Sequence, residues 1–416
     1  MLRSVAQQRV SKHEDDADTI DRLRTPAAGQ LLFFTFLLCG LGSAVANRTL
    51  DPLTLALAQD FSVTAATAAL VVSMTFLPYA LVQPVFGPIG DHFGKDRVIK
   101  IALWTVALGT LACAFAPVFW ILLLLRLFTG AASGGVIPVT QALIGDLVKP
   151  AERQVVIARF TMSMILGQMA GAAFGGILES WIGWRGVIFG CGLIVTFAAI
   201  MATRNIPRRE RAPSQPFSVA RVLSNYRTIF RNPRAWVCYA TVPVMGGLGF
   251  GLLPFISPIL EAQKNGGIRE AGFIIAAQAF GSLLLSLALP LMLRVIPRPM
   301  MVIGGALLVT LSLVLFAMGW HWTVQMAVFV IFGFGWFMQH NTIQFEVSEI
   351  SQEYRGSAYS MHAFFFFTGQ FLGPIVYGQL IPVIGIGATL IFAGIIMGLT
   401  GILSGSAFAY LSRRNR

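Results

Sequence analysis

From Leu31 to Leu411 the chain alternates between long apolar runs and short polar joints. A helix rises about 1.5 Å per residue and the hydrocarbon layer of a bilayer is roughly 30 Å thick, so each run has the length of one membrane-spanning helix. The pattern predicts twelve spans, over 30–58, 65–88, 98–117, 119–147, 156–180, 184–203, 236–262, 270–292, 299–319, 322–348, 357–380 and 385–411. A spanning barrel would need ten-residue stretches of alternating apolar and polar positions, which are lacking, and a helix satisfies its own backbone in lipid. The fold class is therefore all-α, in a membrane. One long polar interruption divides the spans six and six. The organisation read from it is a tail (1–29), a first six-helix unit (30–203), a linker (204–235), a second unit (236–411) and a basic end (412–416).

Composition agrees. Hydrophobic residues make up 56% and charged residues 12%, with a mean hydropathy of +0.73, more apolar side chain than a soluble core of 416 residues covers. The four cysteines, Cys39, Cys113, Cys191 and Cys238, fall singly in different spans without metal-ligand spacing, so no metal and no cofactor is expected. The tail carries five basic and five acidic residues, too polar and too acidic for a cleaved signal peptide.

A net charge of +12 raises nucleic acid as a partner, but 25 of the 30 basic residues fall on alternate joints. The other joints hold Arg185, Lys264 and Arg269, while Arg48 and Arg126 lie inside spans. Such asymmetry expects both termini and the linker in the cytoplasm of a plasma membrane, the inner membrane if the source is bacterial. The expected partners are the lipid bilayer and a small molecule rather than nucleic acid. Within the linker, "FSVARVLSNYRTIF" repeats Phe217, Val222, Leu223, Tyr226, Ile229 and Phe230 at helical spacing between arginines. This expects an amphipathic helix on the cytoplasmic membrane surface, or else a basic linker that sets topology.

The two sets of spans share a repeat. An offset of 202 aligns Arg153 with Arg355, Gly167 with Gly369, Gln168 with Gln370 and Gly171 with Gly373 without a gap, so the fifth span corresponds to the eleventh. Glycines four apart share one helix face and let a neighbouring backbone come close, so both spans should have tight partners.

Three motifs carry a resemblance. "GPIGDHFGKDR", between the second and third spans, resembles the signature loop Gx(L)xDxxGxxR of the major facilitator superfamily through Gly87, Asp91, Gly94 and Arg97, with Ile89 and Asp96 at the positions that differ. "RLFTG" resembles the family's RxxQG through Arg126 and Gly130, with Thr129 for glutamine. "GQMAGAAFGG" resembles GxxxGPxxGG of its proton-coupled antiporters through Gly167, Gly171, Gly175 and Gly176. Ala172 replaces the proline, which stands as Pro374 in the eleventh span. The resemblance implies the major facilitator fold: twelve helices in two pseudo-symmetric six-helix bundles, working as a monomer.

Arg97 is expected at the start of the third span, where the helix dipole disfavours a cation unless an anion is near, and Asp91 and Asp146 are the candidates. The resemblance implies a charge latch of this kind, joining the halves when the cavity opens outward. Arg126 lies at a depth where an unpaired charge is costly, so it should face the cavity. Asp51, beside Asn47 and Arg48, is the acid of similar depth in the first half. It is read as a protonatable site or substrate anchor, or as a static partner of Arg48. Gln141, His340 and His362 are further polar candidates, the histidines for a proton role.

The sequence lacks HExxH, GxSxG, a Walker loop and paired acids at depth, which argues against an enzyme or an ATP-driven pump. The leading expectation is a secondary transporter that alternates access between two bundles. The resemblance implies export of a small amphiphilic compound in exchange for protons; the alternative is proton-coupled or facilitative uptake of a metabolite such as a sugar or organic acid.

Overall fold

The apolar runs are helical, and they stop or bend where glycine, proline or a charged joint interrupts the backbone ladder. A computed structural model of the protein describes residues 26–148, 150–208, 219–351 and 353–414. The expected tail up to residue 25, linker residues 209–218 and the last two residues lie outside the described residues. The first six helices are α1 (Pro26–Arg48), α2 (Thr54–Asp60), α3 (Ala65–Phe93), α4 (Lys95–Ala114), α5 (Phe119–Leu147) and α6 (Pro150–Asn205). After α7 (Val219–Phe230) come α8 (Pro233–Val244), α9 (Ile256–Ala262), α10 (Ile268–Val295), α11 (Arg298–Ala317), α12 (Trp322–Ser348), α13 (Arg355–Ile384) and α14 (Ile386–Arg414).

Among the described residues, eleven helical stretches are long and apolar enough to cross a bilayer. The longest, Val155–Asn205, contains the expected fifth and sixth spans. Gly183 breaks it with φ 67° and ψ 167°. The chain folds back there: Gly175 packs on Thr49, and Cys191, equally far beyond Gly183, lies 3.2 Å from the Thr49 hydroxyl. The expected loop between these spans is thus a single glycine joint.

Two runs expected as continuous helices are interrupted. In the first, α1 ends at Arg48 and a 3-10 turn, Asp51–Leu53, precedes α2; Pro52 has no N–H to continue the ladder. In the seventh, a π-helical stretch, Met245–Phe250, and a 3-10 turn, Leu253–Phe255, separate α8 from α9. The offset of 202 relates these breaks: it carries Asp51–Leu53 to Leu253–Phe255 and α2 to α9. It also carries Gly183 to Gly385, which joins α13 to α14 at φ 81° and ψ 164°. Interrupted spans at matching places in two repeats are where carriers place their binding sites.

The buried apolar residues fall into clusters on either side of the linker. One draws on residues 229–408 with Ala69 and Ala172; two others lie almost wholly within residues 32–206. Glycine seams tie the repeats together internally. A Cβ at Gly167 would stand 2.6 Å from Leu41 O and one at Gly171 3.0 Å from Val45 O, so α6 lies against α1. In the second half, Gly369 and Gly373 would meet Pro243 O at 2.1 Å and Gly247 O at 2.2 Å, the same offset again. The tight partners expected of these spans are therefore the first and seventh.

Gly130 is closer still, its absent Cβ 2.0 Å from Thr75 O across the α5–α3 contact. Gly130→Val should cost ~3 kcal/mol or more, because neither backbone can yield. The measurement is a melting temperature in detergent, with Gly145→Ala as control, since nothing lies within 4 Å of that Cβ position. Equal melting for the two variants would contradict the packing described.

Candidate functional site

A cavity of about 1220 Å³ runs from the interrupted first and seventh spans to the arginine-rich side of the molecule. Asn47, Arg48 and Gln370 line its inner end, and Lys95, Tyr226 and Gly356 line its mouth. The other side is shut. Gly176 of α6 meets α10, its absent Cβ 2.8 Å from both Gly272 Cα and Ile268 O, and its offset counterpart Gly378 of α13 meets Ala66 of α3 at 3.0 Å. Deeper in, Phe367 stacks on Phe76 (centroids 5.8 Å, 6°) and lies 4.1 Å from the Tyr79 ring.

At the mouth, α7 crosses between the two halves. Ile229 is buried in the second half's core, and the Tyr226 hydroxyl donates to Pro84 O of α3 at 3.5 Å. Burial raises the pKa of that hydroxyl, so it stays a donor.

Arg48 ends α1 at the inner end of the cavity. Its Nη1 lies 3.4 Å from Asp51 Oδ2, and Nη2 donates to Gln370 Oε1 at 2.8 Å across the two halves. Its guanidinium sits between the rings of Phe250 (4.1 Å) and Phe76 (5.1 Å), which fix its plane. Asp51 is fully buried behind it, with Oδ1 lacking a hydrogen-bond partner. Asp51 is not among the residues that line the cavity, whereas Arg48, its ion-pair partner, is.

The structure does not bring Arg126 to the cavity. It is 2% exposed, its Nε donates to Thr75 Oγ1 at 2.9 Å, and both Nη atoms approach Ala46 O at 3.4 Å. Ala46 is in the last turn of α1, where carbonyls lose their helical partners, and the buried arginine supplies donors there. No ion pair joins it to Asp51 among the described residues.

Gly94 ends α3 at φ 92°, and Arg97 lies in the first turn of α4 as expected, but its side chain is exposed. Asp146 pairs instead with Lys95 at 2.8 Å, two residues earlier. Gly87 lies within α3, and the side chain of Asp91 is outside those described, as is any contact it makes. Arg234 and Glu346 form a further pair at 2.8 Å on the same side of the molecule.

Gln141, His340 and His362 all line the cavity. His340 stacks on Trp336 (4.7 Å, 19°), and its ring lies 5.3 Å from that of His362. His340 Nδ1, both His362 nitrogens and Gln370 Nε2 are buried with no partner. Sequence reasoning passed over Phe76, Phe250, Trp336 and Gln370 as site residues. The repeat held one signal, since Phe250 is the offset counterpart of Arg48 and Gln370 that of Gln168. Among the described residues no three His, Cys, Asp or Glu converge as metal ligands.

Residues 32–374 match the family model of the Major Facilitator Superfamily. The "Uncharacterized MFS-type transporter YybF" of Bacillus subtilis is 21% identical over 84% of this chain and 86% of its own. "MFS-type transporter oryF" of Aspergillus oryzae is 25% identical over 90% and 88%. A "Multidrug resistance protein B homolog" of Mycobacterium tuberculosis is 30% identical over 43% of this chain and 34% of its own. Among solved structures, the nucleoside transporter NupG superposes with a TM-score of 0.76 at 15% identity, over 91% of this chain and 99% of that one. A bacterial homologue of the lysosomal transporter Spinster, solved inward-facing and unoccupied, gives 0.69 at 18% identity, over 94% and 98%.

Proposed function

The chain belongs to the Major Facilitator Superfamily, and we propose that it carries a small amphiphilic organic anion together with protons across a plasma membrane, by alternating access between two six-helix bundles (30–203 and 236–411). The carrying observation is a central cavity floored by Arg48 and lined by no aspartate or glutamate among the described residues. With the termini in the cytoplasm, as the charge asymmetry expects, this cavity faces inward. The α3–α4 corner of Gly87, Asp91, Gly94 and Arg97, with Asp146, would latch the opposite state. Substrate and protons need no further partner, and the working unit is a monomer.

The Arg48–Asp51 pair favours co-transport over exchange. A proton on Asp51 removes its hold on Arg48 Nη1, which is then free for an anion, so proton and anion bind together and travel the same way. Exchange export requires the two to exclude each other. Export of an amphiphile in exchange for protons, the reading implied by the sequence motifs, is supported by the similarity to the multidrug resistance homologue.

Flux in proteoliposomes separates the two. Co-transport of one proton per anion expects about tenfold accumulation for each pH unit by which the outside is more acidic, relative to protein-free liposomes. Acid outside driving preloaded compound out would support exchange export instead, and indifference to the gradient would remove proton coupling.

A further inference from the structure

We infer that the cavity floor is a site for a planar aromatic carboxylate, its acid group on Arg48 and Gln370 and its ring along the wall made by Trp336, His340 and Phe366. The inference rests on the reading of the chain as an organic-anion carrier and names the class of anion.

The lining sets the charge. Arg48 faces the cavity and no acid does among the described residues, so an anion is favoured over a cation, while the neutral histidines add donors and acceptors rather than charge. Arg48 uses one N–H on each Nη for Asp51 and Gln370, leaving N–H groups in a plane already held by the two rings. A planar fork of donors held in place before binding matches a carboxylate better than a hydroxyl or an amide.

The unpartnered atoms set the shape. His362, Phe366 and Gln370 follow one another at i, i+4 and i+8 on α13, one row on one helix face. Gln370 is 1% exposed and His362 3%, and the partnerless Gln370 Nε2 and His362 nitrogens mark the two ends of that row. Gln370 Oε1 already accepts from Arg48, so its amide N–H groups are offered to an acceptor from the cavity. Between the ends lies an aromatic wall: Phe366 is 4.9 Å from His340 and 5.8 Å from Trp336, and the latter two are stacked. Buried polar groups ordinarily find partners, and a ligand with an acceptor at each end and a flat ring between would satisfy both. At 1.5 Å per residue the ends are about 12 Å apart along the helix, longer than a single benzoate and suited to a two-ring acid with a distal hydroxyl.

Titration calorimetry on the full chain in detergent tests this with 6-hydroxy-2-naphthoate, its carboxamide, 2-naphthoate and 2-naphthylmethylammonium. The hydroxynaphthoate is expected to bind at one site and its carboxamide about tenfold or more weaker. The ammonium compound should not compete. His362→Phe should remove the advantage of hydroxynaphthoate over naphthoate. Arg48→Gln alone would leave Asp51 uncompensated, so it is combined with Asp51→Asn; this double variant should lose the preference for acid over amide. Equal binding of acid and amide, competition by the ammonium compound, or an unchanged preference in a double variant that elutes as wild type would each overturn the site. Binding with the expected preferences but no flux in proteoliposomes would overturn the carrier reading and leave the site standing. Flux of a different organic anion without naphthoate binding would overturn the site alone.

Discussion

Transport driven by a pH difference will fall about 100-fold in Asp51→Asn, while exchange of labelled for unlabelled cargo at equal pH survives. A factor of this size corresponds to ~3 kcal/mol, the scale of one interaction with a buried charge. Asp51 contacts Arg48 through Oδ2, and no other ion pair reaches it among the described residues. Asparagine keeps the shape of the protonated acid and removes the proton that could be carried. Arg48 stays fixed by Gln370, Phe76 and Phe250, so cargo still binds and crosses. If the pair is only a static strut, gradient-driven flux and exchange will change together, and the coupling assigned to Asp51 is then wrong. The two assays on one reconstituted preparation decide it.

Leucine at Gly176 will have a large effect by a different route. The side opposite the cavity mouth is closed where α6 and α10 approach so nearly that a Cβ would sit 2.8 Å from the facing backbone. A leucine there forces the seam apart, and the state described here loses its seal. A shift of about 1.4 kcal/mol already changes populations tenfold. The readout is a cysteine at Ser360, which lines the cavity, labelled by a membrane-impermeant maleimide from the arginine-rich side. The four native cysteines are buried and contribute little background. Labelling should fall about tenfold in Gly176→Leu, and by a similar amount in Gly378→Leu on the matching α13–α3 seam. Unchanged labelling in a protein that melts normally would mean that these seams do not gate the cavity.

The spans were legible because lipid permits only long apolar helices, and the correspondence of fifth and eleventh spans because close packing keeps its glycines. The interruptions at Asp51–Leu53 and Met245–Phe255 were not, since the apolar pattern runs through both and only Pro52, Pro254 and the intervening glycines mark them. Arg48, His340, His362 and Gln141 stood out as polar residues in apolar surroundings, and all line the cavity. Arg126 stood out for the same reason and yet caps a helix end, because polarity at depth reports a need for partners and not which partners are met. Lys95 rather than Arg97 reaches Asp146, a difference of side-chain reach that motif spacing does not encode. The Arg48–Gln370 bond joins residues 322 apart, and no local pattern announces it.

The glycine joints at Gly183 and Gly385 bear on biosynthesis. With a single glycine turning each corner, the two arms of α6 and the α13–α14 pair are expected to enter the bilayer as hairpins, each arm waiting in the insertion machinery until its mate has been translated. Any insertion tag placed at those two corners would therefore disturb assembly of the newborn chain, even though the finished protein has them at its surface.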